Sequence, residues 1–172
     1  FFISASKREQ WSYPLVEHYE FMSEHAHEVI FMDRDAWNFF SMLRGISGLC
    51  IMFWCSKSDS NLHELLAYLK APHDIRVLGR DFCKKNPAAG KYAVQKRLSD
   101  VWDSAGLNER GDFGPRNTLL VDDTMSKMDC NPPNNVLQCV PINVQRSRGS
   151  KYLCSQLFFE IVQRFGALDG LL

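Results

Sequence analysis

The sequence predicts an α/β fold built on an open, mostly parallel sheet with helices on both faces. Three observations predict it. Short apolar runs recur along the 172 residues, separated by stretches of helical length and amphipathic spacing. Leu49-Cys-Ile-Met-Phe-Trp-Cys55 is apolar throughout, as a central strand covered on both faces should be. Leu119-Leu-Val121 is a second such run and ends in two adjacent carboxylates, Asp122 and Asp123. Ligands of open α/β sheets collect beyond the carboxyl ends of the strands, where these acids are expected to lie.

Taken in order, residues 1–6 are a strand candidate, Phe1-Phe-Ile-Ser-Ala-Ser6. Residues 7–28 are polar and mixed, broken by Pro14, and read as an insertion or loop. Val29-Ile-Phe-Met32 is a short apolar run suited to an edge strand. Asp33 or Asp35 can cap a helix with Ala36, Phe39, Phe40 and Leu43 on its apolar face, ended by Gly45 and Gly48. The 49–55 strand follows. Ser58 or Asp59 caps a second helix whose Leu62, Leu65, Leu66 and Leu69 fall at i, i+3, i+4 and i+7, and Pro72 stops it.

Ile75-Arg-Val-Leu78 is a further strand, and residues 81–90 are a Gly/Pro/Lys loop. Lys91 opens a third predicted helix, with Ala93, Val94, Leu98, Val101 and Trp102 inward. Residues 106–115 are loop, then comes the acid-bearing strand. Val136–Val140 is another strand, and a closing helix runs from Tyr152 to Phe165, ended by Gly166. Strands alternating with helices imply parallel pairing and right-handed crossovers.

Length and composition bound the rest. At 172 residues, 45% hydrophobic, 12% aromatic and 23% charged, the chain suits one globular domain, residues 1–172, with a real core. A formal net charge of zero excludes the electrostatic footprint of a stand-alone nucleic-acid binder. It leaves open a subunit held in a nucleoprotein by protein contacts, with at most an indirect or peripheral RNA contact. The one basic cluster, Arg146, Arg148 and Lys151, reads as a solvated loop, with a phosphate or RNA contact as the alternative. None of the six cysteines forms a C-x-x-C pair, so a reducing compartment is the simpler reading. His25 and His27 read as a chance surface pair. No run of 18 apolar residues exists, so no membrane span is expected.

The chemistry-bearing pieces are four. A strand ends near Ser4; a second ends in Trp54-Cys-Ser-Lys57. Lys91 lies ahead of Leu98-Ser-Asp-Val-Trp102. A last strand ends in Asp122-Asp123-Thr124, with Asn131-Pro-Pro-Asn-Asn135 downstream. Together they resemble the haloacid dehalogenase superfamily. Specifically they look like the branch of the polymerase C-terminal-domain phosphatases and the NLI-interacting-factor-like proteins. The resemblance spans nearly the whole chain, and its most specific part is Thr118-Leu-Leu-Val-Asp-Asp-Thr124 with the Asn-Pro-Pro-Asn-Asn run. It implies a Rossmann-like sheet without a large cap domain.

In active members of that family the first strand ends in Asp-x-Asp-x-Thr. The first Asp attacks phosphorus, the second is the general acid/base, a Thr or Ser closes the second strand, a lysine balances phosphate charge, and the last acids hold Mg²⁺. By this resemblance Asp122 and Asp123 take the metal position, with vestigial or weak affinity, and Lys91 the phosphate position. The bland alternatives are a polar strand end with a helix cap for the acids, and an ordinary exposed lysine for Lys91. Cys55 stands where Thr or Ser is expected, with Ser56 beside it. Ser4 and Ser6 stand where both catalytic acids belong; an acid-bearing strand upstream of Phe1 is the alternative.

Serine carries no charge to hold Mg²⁺ and needs a separate base to become a nucleophile. Loss of a nucleophile costs rate factors on the order of a million in other enzymes. The expectation is therefore a pseudoenzyme: no catalytic residues, no cofactor beyond a weak Mg²⁺, and a role as a structural or binding subunit among other proteins. The aromatic N-terminal region (Trp11, Tyr13, Tyr19, Phe21, Phe31, Trp37) suits protein contacts. A mitochondrial assembly such as a mitoribosome or import machine is favoured, a nuclear one second. The alternatives are an active Mg²⁺-dependent protein serine/threonine phosphatase, and a phosphopeptide binder using Lys91, Ser4, Ser6 and Ser56.

Overall fold

The parallel strand pairs expected from the apolar runs are present in a computed structural model of the chain. It describes residues 3–6, 18–23, 28–33, 36–56, 62–63, 66–67, 75–91, 93–139 and 157–164, with the backbone path alone before residue 38. The fold is mixed α/β, with short parallel pairs. The chain divides into two compact units: residues 1–80 with 141–158, and residues 81–140 with 159–172.

The first unit contains a three-stranded sheet of β1 (Ile3–Ser6), β2 (His18–Ser23) and β3 (Glu28–Asp33), in the order β1-β3-β2 and antiparallel throughout. Ser4 lies opposite Phe31, and Phe21 opposite Ile30. Three expectations are corrected here, the first being that Val29–Met32, read as suited to an edge strand, lies in the central strand β3. Residues 18–23, inside the stretch read as insertion or loop, are a strand: His18-Tyr-Glu-Phe21 alternates polar and apolar, a period-2 signal that averaging over the polar block hides. The first strand pairs antiparallel with β3, so among the described residues parallel pairing is confined to two strand pairs.

Helix α1 (Ala36–Arg44) forms where the 3.6-residue spacing puts it, and buries Phe39, Phe40 and Leu43. Gly48 follows at φ +80°, a conformation cheap only for glycine. Strand β4 (Met52–Trp54) then pairs parallel with β5 (Arg76–Leu78), Phe53 opposite Val77. The Cys55 N–H extends the ladder by donating to the Leu78 carbonyl at 2.9 Å. Residues 62–63 and 66–67 of the crossover are helical, and Leu62 is buried. The proposed caps Ser58 and Asp59, with Leu65, Leu69 and Pro72, lie outside the described residues. Phe40 and Phe53 meet at 5.4 Å between ring centroids, tilted by 42°. That contact joins the helix to the parallel pair.

The second unit opens with a hairpin, β6 (Lys84–Lys85) against β7 (Val94–Gln95). Its turn includes Gly90 at φ +129°. The helix expected from Lys91 onward is much shorter: α2 spans Leu98–Trp102. Val94 and Gln95 are drawn into the hairpin instead, so Lys91 does not open a helix. Strand β8 (Leu120–Asp122) pairs parallel with β9 (Val136–Gln138), Leu120 opposite Val136 and Asp122 opposite Gln138. Leu98, Val101, Leu120, Met128, Leu137, Cys139 and Ile161 are buried. Ile161 belongs to helix 157–164, whose Arg164 donates to the Val136 carbonyl at 3.0 Å. The basic cluster Arg146, Arg148 and Lys151, the pair His25 and His27, and Gly166 lie outside the described residues. Among the described residues no helix is long and apolar enough to cross a membrane.

Candidate functional site

Strand β8 alternates strictly: Leu120 and Asp122 are buried and Val121 is half-buried. A carboxylate is thereby aimed into the interior on the face of a core leucine, where an isolated charge is costly. The fold supplies its counter-ion. Lys96 is itself only 5% exposed, and its Nζ lies 2.5 Å from Asp122 Oδ2. Asp122 Oδ1 accepts the Thr124 N–H at 2.9 Å, a local Asx-type contact, and lies 3.7 Å from Lys127 Nζ. Both carboxylate oxygens are therefore engaged.

Lys96 is delivered by the hairpin. Its N–H donates to the Lys127 carbonyl at 2.8 Å, and Gln95 just before it donates to Asp129 Oδ1 at 3.1 Å. The end of β7 is thus laced to the turn that follows β8. Asp123 points the other way: it is exposed, its Oδ1 accepts the Thr124 hydroxyl at 2.9 Å, and its carbonyl accepts the Gln138 amide at 3.1 Å.

Burial on its own would push the Asp122 carboxyl up. The Lys96 charge and hydrogen bond, with the Thr124 N–H, outweigh it and hold the group at about 2 against an ordinary 3.8. A depressed carboxylate stabilises the fold above the unfolded-state value and loses that contribution as pH falls through the folded one. Asp122 is therefore expected to contribute on the order of 2 kcal/mol at neutral pH, lost between about pH 4 and 2. Comparing the urea stability of wild type and Asp122→Asn across that range checks it: the gap should close on the acid side.

The positions singled out from the sequence divide between the units. Ser4 and Ser6 lie on β1, and half-buried Cys55 and Ser56 follow β4, all in the first unit. Lys91, Asp122 and Asp123 lie in the second. Lys91 is exposed, one residue past the Gly90 turn. The lysine that reaches Asp122 is Lys96. The resemblance places its lysine at Lys91 by spacing from Trp102, whereas Lys96 stands two residues before α2 opens at Leu98. Lys127 was also missed, since nothing in a linear reading pairs it with Asp122; the Thr124 N–H lies two residues on, where a local Asx-type contact would put it.

Among the described residues no three His, Cys, Asp or Glu side chains cluster as metal ligands. Asp122 is taken by one ammonium and within 4 Å of another, and of the two strand-end acids only Asp123 is exposed. Mg²⁺ demands a near-ideal octahedron of oxygens. These residues do not provide one, since a cation would have to displace Lys96 or share its carboxylate. No protein-family model matches the sequence, and no curated protein matches it.

Proposed function

We propose that this chain is a phosphatase-like domain of the haloacid dehalogenase type that no longer turns over phosphate. It serves as a structural or binding subunit of a larger protein assembly. The observation that carries this reading is the state of Asp122. A strand-end carboxylate that would have to hold a metal is buried and closed off by Lys96, with Lys127 also beside it. Three further features support the reading. Parallel pairs β4–β5 and β8–β9, each within its own unit, suit an α/β fold, a lysine meets the acid-bearing strand end, and the sequence has Ser4 and Ser6 where the resemblance implies acids. The partners are protein subunits, with any RNA contact peripheral. By analogy with the family, a mitochondrial assembly such as a mitoribosome or import machine comes first and a nuclear one second.

Two measurements test the proposal together. The purified chain should release no p-nitrophenol from p-nitrophenyl phosphate above buffer, with or without millimolar Mg²⁺. Asp122→Asn should behave identically, and Mg²⁺ should leave Tm unchanged, because a ligand that does not bind the native state cannot shift it. In native cell extract the protein should migrate as part of a much larger species. Mg²⁺-dependent turnover lost in Asp122→Asn would instead establish an active serine/threonine phosphatase. Migration as the lone polypeptide would refute the subunit role.

A further inference from the structure

The run Asn131-Pro-Pro-Asn-Asn135 has no chemical role in the reading above, yet its two end residues hold both parts of the site. Asn131 sits in the loop after β8 and reaches the other arm of the unit with both ends of its amide. Its Oδ1 accepts the Leu98 N–H at 2.7 Å, capping the start of α2. Its Nδ2 donates to the Lys96 carbonyl at 2.8 Å and to the Met128 carbonyl at 2.9 Å. Lys96 is thus gripped on both sides of its Cα, with its N–H on the Lys127 carbonyl and its carbonyl on Asn131. At the other end of the run, Asn135 is 2% exposed and donates to the Pro115 and Thr118 carbonyls at 2.8 Å each, just ahead of the acid-bearing strand. Pro132 and Pro133 lie between, their rings fixing φ.

We infer that Asn131 is a positioning residue for Lys96: its amide nitrogen, by holding the Lys96 carbonyl, aims the ammonium at Asp122. Lysine carries several free rotors and loses considerable side-chain entropy when fixed. Clamping its main chain on both sides removes the backbone share of that freedom before the ion pair forms. The significance of Lys96 as the site lysine rests on the function proposed above; the clamp itself does not.

The test is competitive acylation of the full chain with an N-hydroxysuccinimide acetate, read by mass spectrometry as the Lys96-to-Lys91 ratio. Exposed Lys91 serves as the internal reference. Asn131→Asp keeps an oxygen for the Leu98 N–H and loses the donor to the Lys96 carbonyl, so it separates capping from positioning. Lys96 is expected to be strongly protected in the wild type. In Asn131→Asp and Asn131→Ala its ratio should rise about tenfold, the opening expected for the loss of this half-buried hydrogen bond. Asn135→Ala should lower Tm yet leave the ratio unchanged.

An unchanged ratio in folded Asn131→Asp overturns the inference. So does an equal rise in Asn135→Ala, which would make Asn131 one structural residue among others. If Asn131→Ala fails to fold, Asn131→Asp decides. Phosphatase turnover in a protein that still shows the predicted ratios would sink the pseudoenzyme reading and leave the clamp standing.

Discussion

Replacing Lys96 with methionine is expected to cost about 3–5 kcal/mol of unfolding free energy at pH 7. The substitution keeps the aliphatic stem and removes the ammonium, leaving Asp122 8% exposed with an uncompensated charge. Lys127 remains 3.7 Å away, but its side chain is 28% exposed and its pull is partly screened. The loss should shrink as pH falls, because protonation lets a neutral carboxyl occupy the buried position. The double variant Lys96→Met/Asp122→Leu should recover most of the stability, since an apolar pair of similar volume has no charge left to desolvate. Urea unfolding of the four proteins completes the cycle. A cost below about 1 kcal/mol in the single variant would mean that water reaches Asp122 freely, contrary to its burial.

Phe53→Ala should be comparably damaging, at about 3–5 kcal/mol. Phe53 sits in the middle of β4 and is buried, with the Phe40 ring from α1 at 5.4 Å and Val77 beside it on β5. Truncation removes the transfer energy of the ring and leaves a void that a helix and a strand pair cannot both collapse into. Met42 on the same helix is 49% exposed, and Met42→Ala should change stability by no more than about 0.5 kcal/mol. Equilibrium denaturation of the two variants reads the contrast. Similar losses from both would place the first unit's core elsewhere.

Much of the fold was legible in the residues. The unbroken apolar runs at 49–55 and 119–121 announced β4 and β8, and both pair in parallel. The spacing of Phe39, Phe40 and Leu43 announced α1 and its buried face. Failures came where a partner, and not a local period, decides conformation. Val94 and Gln95 continue a helical pattern on paper, yet their backbone groups find Lys84 and Lys85 across a turn. Residues 18–23 look polar on average and become a strand because β3 is there to pair with them.

The site divides in the same way. The sequence by itself determined that two acids would close an apolar strand, because alternation along a strand is a property of the residues in order. Only the tertiary structure decided that Asp122 turns inward while Asp123 faces water, and that Lys96 meets the buried one. That choice depends on hydrogen bonds from Lys96 and Leu98 to Lys127 and Asn131, residues about thirty positions away in the chain. A buried charge selects its counter-ion by position and desolvation, and neither exists until the chain has closed on itself.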